Sequence, residues 1–463
     1  MGKRSFFRRP LSADNSIYLQ VGLDWGTSST KIAYGPRAGM RRFIKPLLFD
    51  IDTPLVGFNE YCYPSVAAIQ DDGIWLFGYK AVSYLKHRPY SEGIKYLKTV
   101  LGCMDNARNQ NEPLVNRYKE YMKSRKGYSH LAEKPDLVAA IFLCHMLTVV
   151  REKLSEEYPG QKLDIAFNVC VPIDQLESSM LYERYKKIMG VVNLIGMEWT
   201  ERYSSNELVD IVCDLFDACN YDEEDEETRT FLIPEPMAQA TSYLTSSLQV
   251  NRGHHAIVDI GAGTTDVSIF GLPFPRGYGS RIDWYAAATI PKGTEYILRP
   301  LFEIYQANEK LISNEQEQEI MLSTNLQEEE KRLIMEQLTD VWKDSRQAWK
   351  FAYGKYKTQS AWRGDMVRVF LLGGGSSLHG TSEIFSESWM KDWGPYQVST
   401  IPVPSNYEEY DAIAPFSRMA VAYGLAIPKA EMPKHRLPKD CPDKTPERKP
   451  VRTPLDHEDL YSD

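Results

Sequence analysis

The chain has 463 residues, 43% of them hydrophobic and 25% charged, which are ordinary proportions for globular domains. Its net charge of −9 argues against a surface that coats nucleic acid. No run reaches the roughly 18 consecutive apolar residues of a membrane-spanning helix, and no apolar segment follows the basic residues 1–9 as a secretory signal requires. Seven scattered cysteines with no CxxC pair fit free thiols in a cytoplasmic setting, not disulfides or zinc.

In chain order, IYLQVG (17–22) reads as a strand entering a Gly-rich turn. DWGTSSTK (24–31) then turns and leaves as a second strand, so the loop is β-turn-β. Neither the GxGxxG nor the GxxxxGK[ST] spacing of helix-bound phosphate loops is present. YCYPSVAAI (61–69) predicts a strand, and the 3.6-residue spacing of apolar positions predicts a helix over 136–157. LDIAFNVCVP (163–172) is a continuous apolar run of the buried-strand type. An amphipathic helix is expected over 175–190, a solvated acidic loop over 222–227, and a short strand at FLIPEP (231–236) before a helix through Tyr243.

HHAIVDIGAGTTDVSIF (254–270) then repeats the first layout: apolar strand, aspartate, Gly/Thr turn, apolar strand. Such a distant repeat predicts two related lobes. His254 and His255 are expected in a turn before that strand, and Trp342, Trp349, Phe351, Tyr353 and Tyr356 as core packing of a helical insert. MVRVFLLGGGSSLHG (366–380) is a third strand-to-Gly-turn element, and RMAVAYGLAIP (418–428) a closing helix. Residues 431–463, rich in proline and charge, are expected to be disordered.

A Gly/Ser/Thr-rich hairpin aims several backbone N–H groups at one point, which suits phosphate oxygens. Mg²⁺ on a triphosphate keeps most of its waters and needs only one or two carboxylates nearby. Asp24 and Asp259, each at a strand end before its turn, are candidates for that task. The paired loops therefore predict a phosphate cleft that holds a Mg²⁺-bound triphosphate.

These motifs resemble those of the actin, heat-shock chaperone and sugar kinase superfamily. DWGTSSTK is similar to its first phosphate loop, DIGAGTTDVSIF (259–270) to its second, and FLLGGGSSLHG (370–380) to its adenosine loop. VCVPID (169–174), IPEPMAQATSYL (233–244) and RMAVAYGLA resemble the strand and two connecting helices between them, in the same order. The resemblance implies an α/β, two-lobed actin-like ATPase fold: duplicated ribonuclease-H-like domains with a nucleotide cleft between them. Lobe I would span 1–245, with its core at 14–60 and 163–245 and an inserted subdomain at 61–162. Lobe II would span 246–430, with a helical insert at 301–361 and a helix at 411–428 returning toward lobe I.

It further implies that Gly26, Thr27, Ser28 and Lys31 hold phosphates on one side, and Gly261, Ala262, Gly263, Thr264 and Thr265 on the other. Asp24, Asp259 and Glu235 would order the Mg²⁺ waters, and Asp266, with Thr264, would position the attacking water. Lys98, or its neighbour Lys95, would approach the γ-phosphate. Gly373, Gly374, Gly375 and Ser376 would pack against ribose and adenine. Two positions depart from the chaperone pattern: Ala262 replaces a glycine, and Leu378 and His379 stand where an adenine-stacking arginine is usual.

The expected activity is slow ATP hydrolysis by a chaperone-like switch that changes its affinity for a protein partner with nucleotide state. It would lack the chaperones' peptide-binding domain. A self-associating, filament-forming ATPase is the alternative, and a small-molecule kinase a third.

Overall fold

The computed structural model describes residues 16–37, 43–50, 59–85, 88, 93–103, 113–171, 179–198, 204–219, 221–222, 224–225, 227–246, 253–272, 281–307 and 326–443. The fold is mixed α/β. Strands β1 (Ser16–Trp25), β2 (Ser29–Pro36), β3 (Lys45–Pro46), β4 (Tyr63–Pro64), β7 (Lys162–Val171) and β8 (Thr230–Pro234) form one sheet, in the order β3-β2-β1-β7-β8 with β4 also on β2. Strands β9 (Gly253–Ile260), β10 (Thr265–Leu272), β11 (Arg281–Ile290), β12 (Val367–Leu372), β13 (Gln397–Ser399) and β14 (Lys434–Arg436) form the other, in the order β13-β12-β9-β10-β11-β14. β5 (Ala67–Ile69) and β6 (Trp75–Phe77) make a small separate hairpin.

Five strands of each sheet share one plan. The first strand pairs antiparallel with the second, and parallel with the strand that arrives after a long connection. The next strand again joins parallel. Parallel neighbours need both faces covered, and the pleat of β1 shows how this is met. Leu19, Val21, Leu23 and Trp25 enter a core with the helices Pro135–Glu157 and Ser179–Glu198. Gln20, Gly22 and Asp24 fall on the other face, as period-two alternation requires. In β9, Ala256, Val258 and Ile260 likewise enter a core with the helix Glu328–Lys355, and Asp259 falls on the opposite face. Both aspartates therefore look toward the layer between the sheets.

That layer holds two helices, Glu235–Ser246 and Phe416–Leu425. They cross at backbone contact: a Cβ on Gly424 would stand 1.9 Å from the Ala238 carbonyl oxygen. The second helix lies equally close to β1, where a Cβ on Gly22 would meet the Ala422 oxygen at 2.2 Å. Buried Asn168 of β7 fixes the helix end by donating its amide to the carbonyls of Leu425 (2.7 Å) and Ile427 (2.9 Å). Tyr243 of the first helix packs on Phe370 of the second sheet, ring centroids 4.6 Å apart.

The structure changes several expectations. Helix Pro135–Glu157, which lies in the segment expected as an inserted subdomain, packs in one core with the first sheet, and among the described residues Val66, Ala68, Ala81 and Leu85 form a separate small cluster. His254 and His255 are strand residues of β9, stacked on Trp362 and Phe270 respectively, because aromatic neighbours on both faces accept their rings. Trp349 is buried against Tyr396, while Phe351, on the outer face of the same helix, is exposed. Residues 431–443, expected in a disordered tail, are ordered: β14 pairs parallel with β11, and Arg436 forms an ion pair with buried Asp283 at 2.9 Å. Met432 and Cys441 are buried as well, contacts that proline-rich composition alone does not reveal. Residues 444–463, the basic residues 1–9, 172–178 and 308–325 lie outside the described residues. No helix among the described residues is long and apolar enough to cross a membrane, and none of the seven cysteines, all of them described, is in a disulfide.

Candidate functional site

The β1–β2 and β9–β10 hairpins face each other across a cleft of about 600 Å³, within the range of small-molecule sites. Their turns meet, since a Cβ on Gly263 would lie 3.0 Å from the Thr27 methyl. Gly26 needs its missing side chain because a Cβ would stand 2.4 Å from the Ser29 carbonyl oxygen. Ala262 is tolerated because its φ is not positive; among non-glycine residues described, only Tyr96 has a positive φ.

Asp24, 3% exposed, accepts a hydrogen bond from Lys31 Nζ at 2.7 Å. Burial opposes the Lys31 charge, but the Asp24 carboxylate outweighs it and holds the lysine pKa above its ordinary value. Lys98 Nζ lies 2.8 Å from Glu235 Oε2 and 4.0 Å from Cys170 Sγ. Burial disfavours the Lys98 charge, yet its pKa is held well above the lysine norm by acidic neighbours, Cys170 and Glu235 being the two nearest candidates. Burial also pushes the Cys170 thiol well up, so at neutral pH the thiol is uncharged and Glu235 is the partner that counts. Lys98 lines the cleft and Lys95 does not; Lys95 sits instead near Arg117 and Glu295.

On the other wall, Asp259 Oδ2 accepts from Gln239 Nε2 at 2.5 Å. Its carboxyl is driven well above the usual range, first by burial and then by Glu235, Asp266 and Asp24, with Lys31 opposing. Asp266 accepts from Thr289 Oγ1 at 2.5 Å and Thr264 Oγ1 at 3.2 Å. The third loop closes against this wall: Gly373 has φ +77°, and a Cβ there would stand 2.4 Å from Asp259 Oδ1.

No protein-family model matches the chain. No curated protein matches it either.

Of the residues expected from the sequence, Asp24, Gly26, Thr27, Ser28, Lys31, Lys98, Glu235, Asp259, Gly261, Ala262, Thr264, Asp266, Gly373, Gly374 and Ser376 line one cleft. Three do not. Thr265 is buried and donates its hydroxyl to the Lys292 carbonyl at 2.7 Å, because strand alternation turns it into the core. Gly375 packs on Ile260, where an added Cβ would stand 2.3 Å from Ile260 Cγ2, and Gly263 faces Thr27. Leu378 is buried in the second sheet's core.

The cleft also holds residues that sequence reading missed: Asn59, Tyr61, Leu298, Phe302, Ser417 and Arg418. Leu298 and Phe302 come from the helix Thr294–Ala307 and give the cleft, which Gly374 and Ser376 also line, apolar surface. Their i, i+4 spacing was the available signal. At the rim, the Tyr96 hydroxyl donates to Glu295, joining the segment before Lys98 to the helix after the second hairpin.

Among the described residues, no group of three or more His, Cys, Asp or Glu is placed to hold a metal ion directly. The acidic wall still fits a hydrated Mg²⁺. Its mutual repulsion and desolvation favour an added cation, and Mg²⁺ retains waters that carboxylates reach without ligating it.

Proposed function

We propose that the chain binds Mg-ATP in this cleft and hydrolyses it slowly, as a nucleotide-switched ATPase of the actin and heat-shock chaperone type. One observation carries the reading: two sheets of the same strand order each present an Asp-x-Gly hairpin to one shared cleft. The hairpin turns would hold the phosphates by backbone N–H groups, and Ser28 and Thr264 would add hydroxyls. Asp259, Glu235 and Asp24 would face the waters of the metal. Bound Mg²⁺ would supply charge stabilisation to the transferring phosphoryl group.

Within that reading, Lys98 supplies a buried positive charge whose orientation Glu235 fixes. Asp266, which accepts hydrogen bonds from Thr264 and Thr289, would orient an attacking water. The apolar pair Leu298 and Phe302 beside the third Gly turn suits a nucleobase. The two helices crossing between the sheets support a switch, since closure on nucleotide would be relayed through them.

Equilibrium binding of Mg-ATP, followed by phosphate release with no acceptor present, tests the proposal. Tight binding and slow release are expected for the wild type, and Asp259→Ala should lose release and bind Mg-ATP more weakly. Unchanged turnover in Asp259→Ala would refute the assignment, and release only with an added acceptor would favour a kinase. Nucleotide-dependent sedimentation would move the reading to a filament.

A further inference from the structure

One wall of the cleft is built almost wholly from hydrogen-bond donors. Lys31 of β2, Asn59 and Tyr61 before β4, and Arg418 in the first turn of the Phe416–Leu425 helix line it together. Tyr61 Oη receives Arg418 Nη1–H at 3.1 Å and Asn59 Nδ2–H at 3.2 Å. A phenol oxygen has two lone pairs and one proton. Both lone pairs are taken, so its O–H remains to be donated.

Arg418 is half-buried and stacks over the Tyr61 ring at 5.5 Å. Among the described residues no carboxylate pairs with it, and Tyr61 is its one side-chain hydrogen-bond partner. Lys31 gives one of its three N–H donors to Asp24. The start of a ten-residue helix adds its positive end. A half-buried guanidinium with no carboxylate partner leaves this wall with positive charge that an incoming anion would offset.

We propose that Arg418, Tyr61 and Lys31 form an oxyanion subsite for a phosphate-class group. The planar fork of Arg418 suits two-point binding of such a group, and the Tyr61 hydroxyl supplies a third donor. The oxyanion is either the terminal phosphate of a bound nucleotide or a separate phosphate held beside it. The inference rests on the nucleotide reading for that choice of source, and on the donor geometry for the subsite itself.

The test is calorimetric titration of inorganic phosphate into the full-length, nucleotide-free protein, comparing wild type with Arg418→Gln and Tyr61→Phe. Binding by the wild type is expected, weakened about tenfold in Arg418→Gln and several-fold in Tyr61→Phe. Tyr61→Phe keeps the ring and removes only the hydroxyl, so it reports even if Arg418→Gln folds poorly. Repeating the wild-type titration with a saturating non-hydrolysable ATP analogue identifies the source. Loss of phosphate binding assigns the subsite to the terminal phosphate; retention assigns it to a separate anion. Arg418-dependent phosphate binding in a protein that does not bind Mg-ATP would uphold the subsite and remove the nucleotide reading. Absent phosphate binding, or equal affinity in wild type and both variants, would overturn the subsite.

Discussion

Asp266 occupies on the second hairpin the register position that Lys31 occupies on the first. Asp24 pairs across its hairpin with Lys31, and Asp259 pairs across its own with Asp266. The duplication is thus symmetric in backbone and opposite in charge. One wall neutralises its aspartate, and the other doubles its acid. Under the proposed function, a hydrated cation would favour the Asp259 side.

This asymmetry gives a stability prediction. Lys31→Met leaves Asp24 as a buried carboxylate without its counter-ion, and should cost about 3 kcal/mol. The double variant Lys31→Met/Asp24→Asn should recover much of that loss. Urea unfolding of the four proteins in a double-mutant cycle measures the coupling, and additive single effects would show the pair to be inert.

Lys98 and Lys95 are three residues apart but differ in surroundings. Lys98→Ala should abolish phosphate release while leaving the Kd for Mg-ATP within a few-fold. Lys95→Ala, outside the cleft, should leave release near wild type. Single-turnover kinetics and equilibrium binding check both, and a reversed pattern would exchange their roles.

Gly424 is fixed by space and not by φ. A Cβ at 1.9 Å from the Ala238 oxygen must push the two central helices apart. Gly424→Ala should therefore destabilise by about 2–3 kcal/mol, read as a lower midpoint in thermal unfolding. An alanine variant as stable as the wild type would show that the helices separate freely.

His255 is fully buried in β9, and burial lowers its pKa from 6.5 to about 4, with Arg368 adding to the shift and a bond to the Gly253 carbonyl opposing it. A depressed folded pKa gives stability that is complete above 6.5 and is lost as pH falls toward 4. At pH 5 the unfolded chain binds the proton and the folded one does not, which costs about 2 kcal/mol relative to neutral pH. His255→Leu should lose about that much less stability between pH 7 and pH 5 in urea titrations. Identical pH dependence would assign the acid loss to other groups.

The two hairpins were legible because a strand, an aspartate and a Gly-rich turn are local patterns, and their repetition is visible without a structure. Lys98 was legible through resemblance, but its separation from Lys95 needed the helix Leu97–Cys103 to turn one lysine inward. Arg418 was hidden because it opens a helix that otherwise reads as apolar packing. Asn59 and Tyr61 reach the cleft, and Gln239 reaches Asp259, only through tertiary placement that no periodicity encodes. β14 escaped notice because three polar residues on an edge strand carry no alternation, and their anchor, Asp283, lies more than 150 residues away.

Tyr96 holds a positive φ of 57°, a conformation that costs roughly 1–3 kcal/mol for a residue with a side chain. Its hydroxyl spans the cleft rim to Glu295, and it stands two residues before Lys98. The rim bond is thus a clasp on a tensed stretch of chain. Widening the rim would stretch the clasp first, and letting go would allow the backbone to relax with Lys98 attached. A cleft that opened at this rim would break the Tyr96–Glu295 bond two residues from Lys98.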